Sequence, residues 1–256
     1  MALFHTIFIK DKNCKLTIPK FQNSGKFSKG LDLYSAAIVK GAWKVEKVIC
    51  QKSNFFYHLN KLDLQNKVCY FFERDHFLKK INNNPFELIS ESFTNTHPAF
   101  RSNLKIENYN GGYSSYQTEY PLAMVFKKGI IVSAISALTN KDAGKNYLIF
   151  SNVHHEAKHE KFNLYFVDIE NRKILKKTNA FTNTSNLIEI KKTFIKPNIY
   201  LCSNTFLGIP QYLTENKGFL SFEHTHPPHE YIQSKDRFKR VNEFKLELNE
   251  IIKENI

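Results

Sequence analysis

Short apolar stretches alternate with lysine, asparagine or threonine and are separated by polar turns. This pattern constrains the fold more than any other feature of the chain. Ala42–Cys50 (AWKVEKVIC) places Trp43, Val45 and Val48 between lysines, at the two-residue period of a half-buried strand. Further strand-like pieces are Ser53–His58, Val68–Phe72, Phe100–Ile106, Ile130–Leu138, Tyr147–Val153, Phe162–Ile169, Leu187–Ile190, Asn198–Ser203 and Gly218–His224. Asn, Gly, Lys and Thr clusters separate them at 82–85, 140–145, 170–173, 183–186 and 215–218. Such runs, spaced by roughly 8–15 residues without intervening helices, argue for an antiparallel sheet protein rather than a parallel βα fold. The expectation is a mainly β chain, with an antiparallel β-sandwich or jelly-roll-like domain.

The last element differs. Phe238, Val241, Phe244, Leu248 and Ile251 recur at steps of three and four, with Ser234 as a cap and Asp236 in the first turn. That is an amphipathic helix over about 234–254, with one stripe to bury against the sheet. The expected organisation is one β-rich domain over 1–256, with basic N-terminal strands at 1–90, a main sandwich at 98–232 and the closing helix.

The net charge of +13 invites a nucleic-acid reading, but five of the 37 basic residues are Arg and the rest Lys. Arginine is the preferred partner for forked phosphate and guanine contacts, so nucleic acid is an unlikely partner. An A/T-rich coding bias explains the Lys, Asn, Ile and Phe excess without a ligand. Cys14, Cys50, Cys69 and Cys202 form no CxxC pair, which suits reduced thiols in a cytoplasmic protein. The longest mostly apolar run, Gly129–Leu138, is too short for a membrane span. The chain lacks G-x-x-x-x-G-K-[ST], G-x-G-x-x-G and G-x-S-x-G, so no nucleotide cofactor is expected.

Six of the ten histidines lie in two short segments. The first, VHHEAKHE, contains His155-Glu156-Ala157-Lys158-His159, a literal H-E-x-x-H. On a helix the two His would share a face and could hold zinc. Flanking strands instead make this stretch a polar loop, which could lend His155 or His159 to a site elsewhere. The second is Gly218–Glu230, GFLSFEHTHPPHE. If the strand from Phe219 continues, His224 and His226 point to one face, and Pro227 and Pro228 turn Glu230 back over them. Two or three imidazoles with one carboxylate suit a divalent metal: Fe, Mn or Zn. His229 is a spare ligand, and His97 an additional one.

This arrangement resembles the first motif of the cupin superfamily: a Gly, five residues, H-x-H, then a Glu three or four residues on. Here these are Gly218, His224, His226 and Glu230. The resemblance covers residues 218–230 and implies a small β-barrel or jelly roll holding a divalent metal on those three side chains. The family's second motif has no counterpart.

A third feature is Asn108–Pro121, NYNGGYSSYQTEYP. Tyr109, Tyr113, Tyr116 and Tyr120, with Gln117, offer flat apolar faces beside short polar groups, the make-up of a glycan- or protein-binding surface. Two functions follow as expectations, with a lysine-rich nucleic-acid-binding protein as a third. One is a metal-dependent protein acting on a small polar or sugar substrate. The other is a non-catalytic module that binds a glycan or protein through the tyrosine segment. A carboxylate pair drawn from Glu107, Glu119 and Asp168 would suit a glycosidase if these residues met in space.

Overall fold

A computed structural model describes residues 3–20, 31–53, 55–74, 85–86, 101–224 and 236–256. Seven strands precede residue 75: β1 (Leu3–His5), β2 (Asn13–Pro19), β3 (Leu31–Val39), β4 (Ala42–Lys47), β5 (Gln51–Lys52), β6 (Phe56–Leu59) and β7 (Cys69–Arg74). Ten follow residue 101: β8 (Ser102–Glu107), β9 (Tyr113–Thr118), β10 (Ile131–Ala134), β11 (Lys145–Ser151), β12 (Lys161–Asp168), β13 (Lys173–Phe181), β14 (Ser185–Glu189), β15 (Ile199–Ser203), β16 (Ile209–Asn216) and β17 (Phe219–His224). The helices are α1 (Lys61–Leu64), α2 (Leu122–Val125) and α3 (Arg237–Glu254).

The chain is mainly β, its strand pairs are antiparallel and it closes on a helix, as the periodicity implies. The two-sheet sandwich or jelly roll is not what forms. The strands make four sheets, ordered β1-β7-β3-β4, β5-β6-β2-β8-β9, β14-β11-β16-β17 and β10-β15-β12-β13, in a propeller-like arrangement. The reason lies in β11 and β16. Leu148, Phe150 and Tyr212 enter one core cluster, while Ile149 and Leu213 enter another on the opposite face. A sheet that is apolar on both faces must be covered twice, whereas a two-layer sandwich covers each sheet once. Strands from before and after residue 90 share one sheet, because β8 pairs with β2 in register Cys14↔Ile106 and Leu16↔Leu104.

Helix α3 packs on the outer face of the β10-β15-β12-β13 sheet. Leu248, Ile251 and Ile252 are fully buried against Tyr165, Val167 and Cys202, and Phe244 meets the Tyr200 ring at 4.9 Å. Each fully buried aliphatic contributes roughly 2 kcal/mol. Arg172 ties the helix end through Glu254, at 2.9 and 3.1 Å. Asp236 stands at the helix start without a side-chain capping bond, and Ser234 lies outside the described residues.

Candidate functional site

A cleft of about 330 Å³ opens where five separate segments meet. Thr6 and Phe8 come from the chain after β1, and Leu64, Asn66, Lys67 and Val68 from the α1–β7 turn. His159 comes from the loop before β12, and Asn183, Thr184 and Ser185 from the β13–β14 turn, with Ile38 of β3 completing the wall.

Local sequence builds each wall. In α1, Asn60 accepts from the amides of Leu62 and Asp63, and Asp63 accepts from the Asn60 amide at 2.8 Å, so the single turn is capped reciprocally. Asn66 then takes φ of 61°, which Asn tolerates better than most residues and which redirects the chain through Lys67 into β7. Across the cleft, Asn183 sits at φ 57° and is 2% exposed. Its Nδ2 donates to the carbonyls of Glu156 (2.7 Å) and Lys158 (3.0 Å), and its Oδ1 accepts from the His154 amide at 2.7 Å. Its own amide donates to Asn152 Oδ1 at 2.9 Å. One buried side chain thereby fixes the loop that carries His159.

His159 Nδ1 lies 2.9 Å from the Thr182 carbonyl. A carbonyl oxygen can only accept, so Nδ1 carries a proton, and in the neutral tautomer this leaves the lone pair on Nε2. Lys67 Nζ pairs with Glu46 Oε2 at 2.8 Å, and Lys44 holds the other carboxylate oxygen at 2.6 Å. These two lysines hold the Glu46 carboxyl down at about 2. Ser185 shows no nucleophile–base pairing with His159, because its hydroxyl donates to the Thr6 carbonyl at 2.5 Å.

A buried chain backs this wall. Ser151 Oγ lies 3.0 Å from Ser185 Oγ and 3.1 Å from the Gln211 side-chain oxygen as placed. Ser185 has already given its proton to Thr6, so the single Ser151 proton can serve only one of these contacts. In that placement Gln211 Nε2 and both ring nitrogens of His5 have no partner. With the amide turned over, Nε2 donates to Ser151, Ser151 can donate to Ser185, and Oε1 faces His5, where it can accept from one of the two ring nitrogens. His5 is 1% exposed. Burial brings its pKa down from 6.5 to about 4; the Gln211 hydrogen bond opposes the shift and the nearby His224 adds to it.

The residues singled out in the sequence are spread across the molecule. His226, His229, Glu230 and His97 lie outside the described residues. His224 ends β17, with its ring 4.1 Å from that of Tyr116. Among the described residues, no three His, Cys, Asp or Glu side chains stand together as a metal site. The H-E-x-x-H stretch is a loop, not a helix, so its two imidazoles do not share a helical face. His155 stacks on Phe126 at 5.3 Å, and Lys158 bridges Glu156 (2.6 Å) and Glu160 (2.8 Å).

The tyrosine segment forms the β8–β9 turn, β9 and the stretch after it, and its alternation separates the rings. Tyr109 and Tyr113 are exposed, with Lys61 donating to the Tyr109 hydroxyl at 2.8 Å and Lys105 lying 4.0 Å over the Tyr113 ring. Gln117 is exposed, Tyr116 packs against Phe222, and Tyr120 is buried with its hydroxyl 3.5 Å from the Leu207 carbonyl. Glu107 is held by Lys15 and Lys105 in β8, while Asp168 ends β12 in another sheet, bonded to Asn171 and Asn198.

No helix among the described residues is long and apolar enough to cross a membrane. Of the cleft residues, only His159 carried a sequence signal. Thr6, Lys67 and Ser185 are unremarkable in the chain and are brought together by contacts spanning 61 and 179 positions. In comparisons with protein-family models, curated proteins and solved structures, none matches this chain.

Proposed function

We propose that the protein binds a small polar molecule in the cleft between the α1–β7 turn and the 159–185 wall. The observation that carries this reading is the cleft itself. Its volume is that of a small-ligand site, one flank is apolar (Phe8, Ile38, Leu64, Val68), and Lys67 and His159 converge on it from separate segments. The polar groups are fixed by buried hydrogen bonds, so the site is formed before any ligand arrives. Stable binding rather than covalent turnover is the chemistry this arrangement serves, because the hydroxyls of Thr6 and Ser185 each point their proton at a backbone carbonyl.

The test is a thermal-shift and calorimetric screen of monosaccharides, polyols, small carboxylates and inorganic phosphate. At least one class should raise the unfolding midpoint of the wild type. Lys67→Ala and His159→Ala should each weaken that ligand by about tenfold, the value of one lost hydrogen bond to a charged or oriented group. The Lys67–Glu46 pair lies at the surface, its side chains 23% and 42% exposed, so its loss should cost the fold about 1 kcal/mol or less. A wild type that responds to no probe, or variants that bind as tightly as the wild type, would count against the cleft.

A further inference from the structure

We infer that the cleft selects a ligand that donates hydrogen bonds through hydroxyl groups, a neutral polyol of monosaccharide size. This inference rests on the cleft reading above and names its ligand class.

Four polar side chains on the lining have their protons already placed, each on a backbone carbonyl. Thr6 Oγ1 donates to Lys67 O at 2.6 Å, Ser185 Oγ to Thr6 O at 2.5 Å, and His159 Nδ1 to Thr182 O at 2.9 Å. Asn183 Nδ2 gives its two protons to Glu156 O and Lys158 O, at 2.7 and 3.0 Å. Because a carbonyl cannot donate, none of these bonds can reverse direction. Ser151 Oγ lies 3.0 Å behind Ser185 Oγ, and because Ser185 gives its proton to Thr6 O it can only accept across that contact.

The hydroxyls of Thr6 and Ser185 and the neutral His159 ring therefore meet a ligand only as acceptors. A phosphate or carboxylate is also an acceptor and would face lone pairs at these three groups, leaving Lys67, Asn66 and Thr184 as the lining side chains able to donate to it. Its single compensating cation, Lys67, is already paired with Glu46. A polyol supplies O–H donors to the wall, can accept from Lys67, and has C–H faces to lay against the apolar flank formed by Phe8 and its neighbours.

The experiment is calorimetry at pH 8 on the wild-type chain with glucose, mannose, galactose and ribose, each beside its fully O-methylated methyl glycoside. Inorganic phosphate and acetate serve as donor-free anions. The ethers keep the ring and the acceptor oxygens of the sugars and lose every donor; monodeoxyfluoro sugars, which lose one donor with almost no added bulk, separate that loss from the bulk of the methyl groups. The expected result is that at least one sugar binds and that its methylated form binds at least tenfold more weakly. Ser185→Ala should weaken the same sugar by several-fold. If phosphate or acetate binds and Lys67→Ala abolishes that binding while no sugar binds, the cleft reading stands and the polyol assignment is wrong. Sugar and ether binding with equal affinity also overturns the assignment. If no probe binds, both readings fall.

Discussion

Asn183→Ala should lower the unfolding free energy by about 3 kcal/mol and move the denaturant midpoint without changing the slope. The substitution leaves the His154 amide without its partner in a buried setting, which alone costs about 1–3 kcal/mol. It also removes the bonds to the Glu156 and Lys158 carbonyls. Those oxygens keep other donors, the Lys158 amide at 2.8 Å and Thr182 Oγ1 at 2.8 Å, so their loss is the smaller part. Alanine is further strained at φ 57°, by about 1–2 kcal/mol. Asn183→Gly relieves that strain and nothing else, so it should recover about 1 kcal/mol of the loss. Equal stability for the alanine variant and the wild type would show that the loop carrying His159 is not held as described.

The second large effect is with pH. His5 has a pKa near 4 in the folded protein and near 6.5 when unfolded. Above 6.5 both states are neutral and the full stability is present. Below 6.5 the unfolded chain takes up a proton that the folded one refuses, so stability falls until about pH 4. Each pH unit in that window costs about 1.4 kcal/mol, or about 3 kcal/mol in total. His154, also brought down chiefly by burial, acts in the same direction. The depressed carboxyls of Glu46 and Glu107 contribute only at lower pH, because their folded values lie below the ordinary carboxylate range. Between pH 6.5 and 5 the loss is therefore a histidine effect. Urea titrations at pH 8, 6.5, 5.5 and 5 should show it, and His5→Leu should flatten most of the slope whatever it does to the absolute stability. An unchanged slope in that variant would place the proton uptake elsewhere.

These two residues also show what the sequence could and could not disclose. Alternation located the strands that have one wet face or a strong apolar run: Ala42–Cys50 contains β4, and Phe162–Ile169 matches β12 to within a residue at each end. The stripe of Phe244, Leu248 and Ile251 gave the C-terminal helix and its buried face. The edge strand β13, KILKKTNAF, escaped because its side chains are mostly exposed or half-buried and carry no clean period, so backbone pairing with β12 places it. β16 escaped for the opposite reason. Proline cannot donate to a strand ladder and glutamine gives no apolar signal, yet Gln211 is wholly buried as the middle of a polar chain. The site was the least legible part. A histidine cluster within seven residues attracts attention, whereas a cleft made of Thr6, Lys67, His159 and Ser185 leaves no local pattern. Which way each proton points depends on carbonyls contributed by distant segments.

The most direct measurement is a long-range proton–nitrogen NMR correlation of the histidine rings at pH 8, taken before and after saturation with the best polyol from the screen. His159 should appear protonated on Nδ1 and bare on Nε2. Ligand should shift Nε2 strongly while the Nδ1 signal, held by the Thr182 carbonyl, stays nearly fixed. A ring protonated on Nε2 in the free protein, or an Nε2 signal indifferent to a ligand that calorimetry shows to be bound, would contradict the proposed cleft.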